Sequence, residues 1–331
     1  MDLSFRRYED HAFIVVKNKV GLTLELSSFG AGIREVLLHD VPLTLSPKTD
    51  RDYLFDRVFF FGKLIGPVAG RLDQGKFPGF DDFSFPLTGN GVSLHSGDLN
   101  YAFDEFEYRI ENEKDGVRVV FFATLPPKPG YPASVHIEVQ YFVFENKNAF
   151  LMTIQGIPSI PAPLHLTNHV YWGLGERESC RDDLLKLDAD QVVSYDERLL
   201  PLVKVPTSGA LDFHVAKPIG PAAEEIEAES LALGGIDHGF YVTTRDPNVV
   251  TYEFSSPRYT LKIGTDAKAF QIYSFNFPVE GTEFSSGITP KKRIAITSEP
   301  VLDSTILATD FIHSPDHPFL TTTQFTLEEH L

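Results

Sequence analysis

The stretch PAPLHLTNHVYWGLG, running from Pro161 to Gly175, is apolar along most of its length but carries two histidines. If it forms a strand, successive side chains point to opposite faces. One face is then mainly aliphatic and includes Trp172. The other face carries polar and aromatic groups: His165, Thr167, His169 and Tyr171. We therefore predict a buried strand with Trp172 in the core and the histidine-bearing face lining a cleft.

Aromatic residues and turn formers dominate the rest of the chain and predict an all-β fold. The 331 residues include 28 Phe, 12 Tyr, 24 Gly and 23 Pro, a composition that favours strands and turns. Hydrophobic alternation and turn residues predict short strands at 13–16, 22–26, 33–38, 83–85, 107–110, 117–123, 135–143, 149–154, 187–194, 240–244, 249–254, 259–263, 269–274 and 293–297.

The spacing of these strands predicts one large antiparallel β-sandwich with a groove on its concave face. One acidic helix is expected at 221–233. No strand is assigned to the turn-rich segment 199–213 or to the proline-marked tail 312–331. Because no linker or repeat divides the chain, we expect residues 1–331 to form a single domain.

Charge and cysteine content exclude several classes of protein. The net charge of −17 argues against a nucleic-acid partner, because phosphate binding needs clustered Lys and Arg. The single cysteine, Cys180, cannot form an internal disulfide and fits a reducing compartment. The first residues lack the apolar segment of a signal peptide, and no apolar run is long enough to span a bilayer. We therefore expect a cytoplasmic protein without a membrane partner.

Five polar residues lie in otherwise apolar or glycine-rich settings: Arg71, His95, His169, Asp237 and Glu299. Glu299 follows the predicted strand 293–297, where burial would raise its pKa and make it a general base near neutral pH. His169 would then be the complementary acid, and such a pair suits proton transfer without a covalent intermediate. Structural interpretations compete: a strand-end carboxylate for Glu299, an ion pair for Arg71 and a turn for Asp237.

Other chemistries fit the chain less well. His165 and His169 share a strand face, and Asp237-His238 could add ligands, but the strand spacing of the rings exceeds what zinc tolerates. We therefore expect no metal. The GxSxG turn of Ser–His–Asp hydrolases and a glycine-rich phosphate loop are both missing from the sequence. A two-carboxylate glycosidase built on Asp237 and Glu299 stays open, because their separation cannot be read from the sequence.

Seven short motifs, in order, resemble those of the aldose 1-epimerase (galactose mutarotase) family. They are the glycine-rich segment 66–77 (GPVAGRLDQGKF), the loop 90–97 (NGVSLHSG), the turn 130–132 (GYP), the strand 166–171 (LTNHVY), the segment 237–240 (DHGF), the strand 270–273 (FQIY) and the segment 298–300 (SEP). Each motif alone is weak, but together they span most of the chain.

The resemblance implies a galactose mutarotase-like supersandwich that interconverts the α and β anomers of a free aldose without a metal or nucleotide cofactor. It implies that Glu299 removes the proton of the anomeric hydroxyl, that His169 protonates the ring oxygen, and that His95 hydrogen-bonds near that oxygen. Three further residues would bind sugar hydroxyls: Arg71, Asp237 and Gln271. The expected partner is a small sugar, and the expected assembly is a monomer or a homodimer.

Several positions depart from the family pattern around the hydroxyl-binding wall. Gly70 stands where the family usually has asparagine, and Pro67 stands where it has arginine. Ser96 and Phe275 each replace a usual glycine. With these departures we still expect the same reaction type, but not necessarily a preference for galactose. Another hexose, a pentose or the reducing end of a disaccharide would also fit. Two alternatives also remain: a phosphorylated sugar bound near the basic run 291–293, and a sugar-binding protein without turnover.

Overall fold

A computed structural model of the protein describes residues 1–175, 177–301 and 311–330. The strands of its first third are β1 (Asp2–Tyr8), β2 (His11–Lys17), β3 (Leu22–Ser27), β4 (Gly32–Leu38), β5 (Val41–Pro42), β6 (Leu64–Ile65), β7 (Arg71–Asp73), β8 (Lys76–Phe77), β9 (Phe80–Ser84) and β10 (Val92–Leu94).

The middle of the chain contributes β11 (Glu107–Glu113), β12 (Gly116–Leu125), β13 (Val135–Phe144), β14 (Ala149–Pro158), β15 (Ala162–Pro163), β16 (Thr167–Asn168), β17 (Tyr171–Trp172), β18 (Leu184–Leu187), β19 (Ala189–Tyr195), β20 (Pro201–Pro206) and β21 (Lys217–Pro218). The last third contributes β22 (Asp237–Val242), β23 (Tyr252–Ser255), β24 (Tyr259–Thr265), β25 (Ala269–Tyr273), β26 (Ile296–Val301), β27 (Ile312–His313) and β28 (Phe319–Glu329).

Helices are few and short in the described part of the chain. The helix α1 (Asp50–Phe55) begins after Thr49, whose side chain accepts a hydrogen bond from the Asp52 backbone N–H and so caps the first turn. The helix α2 (Ile219–Glu229) confirms the predicted acidic helix, shifted toward the N-terminus. Within the described residues, no helix is long and apolar enough to cross a membrane.

Two large antiparallel sheets pack face to face and form the sandwich. Within the described residues, one sheet has nine strands in the order β11-β12-β13-β14-β28-β24-β23-β18-β21, and the other has six in the order β17-β26-β25-β22-β19-β20. Trp172 of β17 stacks on Phe325 of β28, with ring centroids 5.8 Å apart. The rings of Tyr252 and Phe270, on β23 and β25, are 5.3 Å apart. The all-β sandwich predicted from the sequence is therefore confirmed.

A third sheet contains β1 to β5 in chain order, and the segment after β5 reaches the edge of the six-stranded sheet, where Thr44 forms a bridge with Trp172 of β17. Its strands pair as consecutive hairpins, which keeps their connections short. Tyr141 of β13 donates a hydrogen bond to the Ala31 carbonyl at 2.9 Å and ties this sheet to the nine-stranded one. The apolar residues between the layers form one continuous core.

The prediction of no strand in the tail is wrong, because β28 is an eleven-residue strand between β14 and β24 in the large sheet. Its core-facing residues include Phe319, Phe325 and Leu327, but also the buried Thr321 and Thr323. Threonine has a polar hydroxyl but favours strands because it is branched at Cβ. Threonines at core positions therefore hid the alternation of apolar and polar residues in this strand. The segment 199–213 likewise contains the edge strand β20, so the prediction that it has none is also wrong.

The stretch 161–175 is buried but is not the single strand predicted. It makes three two-residue pairings with different partners, β15 with β27, β16 with β6 and β17 with β26. Prolines at 161 and 163 lack the backbone N–H that a continuous ladder needs. The assignment of Trp172 to the core is correct. Thr167 departs from the predicted lining, because its hydroxyl donates to the Pro300 carbonyl.

Candidate active site

A pocket of about 230 Å³ lies on the outer face of the six-stranded sheet. Side chains alternate along a strand, so the neighbours of core-facing residues point outward. On β26, Ser298 faces the core and hydrogen-bonds to Tyr252, while Glu299 lines the pocket. On β25, Ile272 is a core residue and Gln271 lines the pocket. The period-2 pattern of buried strands thus delivers polar groups to the side away from the core.

Each of the six residues proposed from the sequence lines this pocket: Arg71, His95, His169, Asp237, Gln271 and Glu299. The strands β26, β25 and β22 are hydrogen-bonded neighbours and carry three of them. Arg71 begins β7, and His95 follows β10, its antiparallel partner. His169 lies between β16 and β17. The fold therefore gathers residues that are far apart in the sequence.

Glu299 lies inside β26 rather than after a strand, because the strand runs on to Val301, beyond the predicted end at residue 297. Its side chain is buried, and it pairs across the sheet with Gln271. Burial raises the pKa of Glu299 to about 8, and the negative charge of Asp237 acts in the same direction. A hydrogen bond with Thr297 and the charge of Arg71 oppose the rise in pKa. The protonated form of Glu299 is therefore favoured at neutral pH.

His169 is held by backbone hydrogen bonds to the segment that leads into β6. Its N–H donates to the Lys63 carbonyl at 3.1 Å, and its carbonyl accepts from the Gly62 N–H at 2.8 Å. Its Nε2 lies 3.4 Å from Oε1 of Glu299. Burial lowers the pKa of His169 to about 4. Burial thus favours the neutral form of both groups, and at this separation the titration of one affects the other.

His95 projects from a loop residue with φ of 51°, and its ring lies edge-on to His169 at a centroid distance of 5.4 Å. The Gly70 N–H donates to Nδ1 of His95 at 3.2 Å, so Nε2 must carry the proton in the neutral ring. Burial, with the nearby charge of Arg71 and the other histidines, holds the pKa of His95 well below its usual value. His95 is therefore a neutral hydrogen-bond donor.

Asp237 forms the centre of a charge-compensated cluster. Its Oδ2 lies 3.0 Å from Nη2 of Arg71, and its Oδ1 accepts from Nε2 of Gln271 at 2.8 Å. The Asp237 side chain is only 8% exposed, and that of Arg71 is 20% exposed. A carboxylate beside a guanidinium presents both acceptors and donors, which suits the vicinal hydroxyls of a sugar.

Sequence reasoning missed other residues that line the pocket: Tyr195, Tyr273 and several apolar side chains. Tyr195 ends β19, whose register with β20 shifts between Val193 and Tyr195. A β-bulge re-aims the side chains that follow it, and no sequence pattern marked this one. Tyr273 could have been found, because it lies two residues after Gln271 on the same face of β25.

Glycine at position 70, in place of the expected asparagine, leaves an opening in the pocket wall. Gly70 lines the pocket with a φ of +90°, and a Cβ added there would meet no atom within 4 Å. A side chain at this position would project into open space, and its backbone would be strained. The wall beside Arg71 therefore has room that a substrate can occupy.

The basic run 291–293 is neutralised by acidic neighbours. Lys291 pairs with Glu178 and Lys292 with Glu227. Arg293 also pairs with Glu227 and is buried. None of the three lines the described pocket, whose lining includes the Arg71 guanidinium already engaged by Asp237. This arrangement does not favour a phosphorylated sugar.

The fold is a large β-sandwich, and one small pocket gathers carboxylates, histidines and an arginine, a set suited to acid–base chemistry on a small polar molecule. The family model for aldose 1-epimerase matches residues 13–300. The chain therefore belongs to the aldose 1-epimerase family and is an enzyme, an isomerase acting on carbohydrates.

Known proteins are similar to this chain in sequence and in fold. The chain is 29% identical over 299 residues to the aldose 1-epimerase of Escherichia coli K12, covering 83% of each protein. It superposes on the galactose 1-epimerase structure from Lactobacillus acidophilus with a TM-score of 0.87, at 23% identity and 100% and 99% coverage of the two chains. The GalM/aldose epimerase homologue from C. elegans gives a TM-score of 0.83 at 23% identity, over 97% of this chain and 100% of the other.

Proposed function

We propose that this protein interconverts the α and β anomers of a free, uncharged aldose by acid–base ring opening and reclosure. The observation that carries the proposal is the buried pair of His169 Nε2 and Glu299 Oε1, 3.4 Å apart, in a pocket that Arg71 and Asp237 also line. Anomer exchange needs one proton removed from O1 and one delivered to O5, and a pair that holds a single mobile proton meets both needs.

The proposed cycle begins with transfer of the shared proton from Glu299 to His169. The Glu299 carboxylate removes the proton of the anomeric hydroxyl, C1=O1 forms, and the C1–O5 bond breaks as His169 protonates O5. Rotation about C1–C2 presents the other face of the carbonyl to the O5 hydroxyl. Ring closure reverses the transfers, and the pair returns to its starting state with one proton.

The other pocket residues would bind and orient the sugar. The neutral Nε2–H of His95 would donate to a sugar oxygen near the ring, while Arg71, Asp237 and Gln271 would bind ring hydroxyls. The open wall at Gly70 supports a preference other than galactose. The ion pair of Asp237 with Arg71 leaves it poorly placed as the second carboxylate of a glycosidase.

Anomer exchange by NMR or polarimetry on freshly dissolved sugars tests the proposal. The panel is galactose, glucose, xylose, arabinose and maltose, with glucose 6-phosphate as the charged alternative. We expect acceleration with at least one free aldose and no advantage for the phosphate. No acceleration of any free aldose by folded protein would overturn the proposal. Saturable sugar binding without exchange would support the non-catalytic alternative instead.

A further inference from the structure

We infer that Tyr195 is a positioning residue that fixes the side-chain amide of Gln271 and, through it, the Asp237–Arg71 cluster. The inference rests on the proposed function for its kinetic consequence, but the hydrogen-bond order itself does not. Tyr195 lines the pocket from the end of β19, the strand next to β22, which carries Asp237.

The direction of each hydrogen bond follows from the chemistry of its partners. A carboxylate only accepts, so the end of Gln271 that lies 2.8 Å from Asp237 Oδ1 must be the NH₂ group. The other end, 3.3 Å from the Tyr195 hydroxyl, is then the carbonyl oxygen, and Tyr195 must donate to it. The Gly239 N–H donates to the Tyr195 oxygen at 3.1 Å.

The result is one directed chain of hydrogen bonds, from Gly239 N–H to Tyr195, from Tyr195 to Gln271, and from Gln271 to Asp237. The second Asp237 oxygen accepts from Arg71 at 3.0 Å. Without the Tyr195 hydroxyl, the Gln271 carbonyl loses its donor, and the amide can turn its oxygen toward a carboxylate that repels it. Chained hydrogen bonds polarise one another, so this loss extends to the sugar-binding atoms of Asp237 and Arg71.

The decisive experiment is a double-mutant cycle of Tyr195→Phe and Gln271→Met, with the steady-state kinetics of anomer exchange as the readout. We expect Tyr195→Phe alone to raise KM by about 3–10-fold, the effect of one neutral hydrogen bond, and to leave kcat within about twofold. If Tyr195 acts through Gln271, adding Tyr195→Phe to Gln271→Met changes KM no further. Additive effects, or an unchanged KM in the single variant, would overturn the inference.

The control is Tyr259→Phe, because the buried Tyr259 hydroxyl makes no hydrogen bond with the described part of the chain and lies on β24 of the other sheet. We expect this variant to keep the parental KM and kcat. Thermal unfolding of each variant separates a loss of fold from a loss of positioning.

A second readout does not depend on turnover and distinguishes failure of this inference from failure of the proposed function. The ¹H–¹⁵N signals of the Gln271 side-chain amide, assigned by their loss in Gln271→Met, should move in Tyr195→Phe and stay in place in Tyr259→Phe. If the Gln271 amide signals do not move in Tyr195→Phe, the inference is wrong even if the protein is a mutarotase. Signals that respond, in a protein without exchange activity, would uphold the hydrogen-bond chain and reject the proposed function.

Discussion

The pocket holds two buried carboxylates whose surroundings differ in one respect, the compensation of charge. Asp237 meets the guanidinium of Arg71 and the amide of Gln271. Glu299 faces the imidazole of His169, which burial keeps neutral. Burial without a cation favours the protonated carboxyl, whereas a paired guanidinium favours the carboxylate. One sheet face thus carries both Glu299, which we propose transfers the proton, and Asp237, which we propose binds sugar hydroxyls; we call them the proton-transfer end and the binding end of the pocket.

The largest effect is expected at the proton-transfer end. Glu299→Gln keeps the shape of the side chain but removes its exchangeable acid proton, so kcat should fall by about 10²–10⁴-fold, the usual contribution of general acid–base catalysis. Anomer exchange measured by NMR checks this expectation. The matched control is Glu253→Gln, at a carboxylate paired with Lys186 outside the pocket. Activity retained in Glu299→Gln would assign the proton transfer to another group.

Asp237→Asn should act mainly on substrate binding, because it removes the negative charge at position 237. The new side-chain amide can still form hydrogen bonds with a sugar. Loss of the charge-assisted hydrogen bond to Arg71 should raise KM by about 10–100-fold, with a smaller change in kcat. Asp40→Asn, at an exposed carboxylate paired with Lys17, is the control. If kcat falls as far as in Glu299→Gln, the division of the pocket into two ends is wrong.

The pH dependence follows from the single proton held by His169 and Glu299. The rate should fall above about pH 8, where Glu299 loses its proton. It should also fall below about pH 4, where His169 is protonated as well and the pair holds two protons. Because the charge of Asp237 helps to raise the pKa of Glu299, Asp237→Asn should move the alkaline limb to lower pH. Profiles of kcat/KM check both points. An alkaline limb that does not respond to Asp237→Asn would contradict the electrostatic coupling of the two ends.

Lys63 is a buried lysine outside the pocket lining. Its side chain is fully buried, its Nζ donates to the Asp56 carbonyl at 3.3 Å, and burial lowers its pKa from 10.5 to about 7. The unfolded chain then binds more protons than the folded one between these values, so stability should rise with pH across that window. Below about pH 7 the cost of burying the charge is complete.

Lys63→Met should therefore be more stable than the parent by about 1–4 kcal/mol at pH 7, and this gain should shrink toward pH 10. Urea unfolding at several pH values measures both effects. Lys19→Met, at a half-exposed lysine paired with Glu145, should show neither. A variant that is less stable than the parent at pH 7 would mean that the contacts of the ammonium group with Asp56 and the Tyr53 ring outweigh its desolvation.

The local signals in the sequence predicted most of the sheet but not all of it. The strict alternation from Val135 to Val143 matches β13, and the turn before Gly116 joins β11 to β12 as predicted. The strand β28 was missed because threonines occupy core positions. The stretch 161–175 was predicted to be one strand because its alternation indicates only which residues are buried. Which strands it pairs with depends on distant parts of the chain.

Sequence patterns alone were enough to predict the all-β class, the polar residues embedded in apolar strands, and the ordered motifs that resemble those of the aldose 1-epimerases. The tertiary structure was needed to show that Glu299 and His169 lie 3.4 Å apart, that the Gly70 N–H donates to Nδ1 of His95, and that Tyr195 reaches Gln271. The two kinds of property differ in the distance along the chain over which they are set. Side-chain alternation is a property of a few consecutive residues, whereas burial, pKa and hydrogen-bond direction depend on neighbours that the sheet brings together from across the chain.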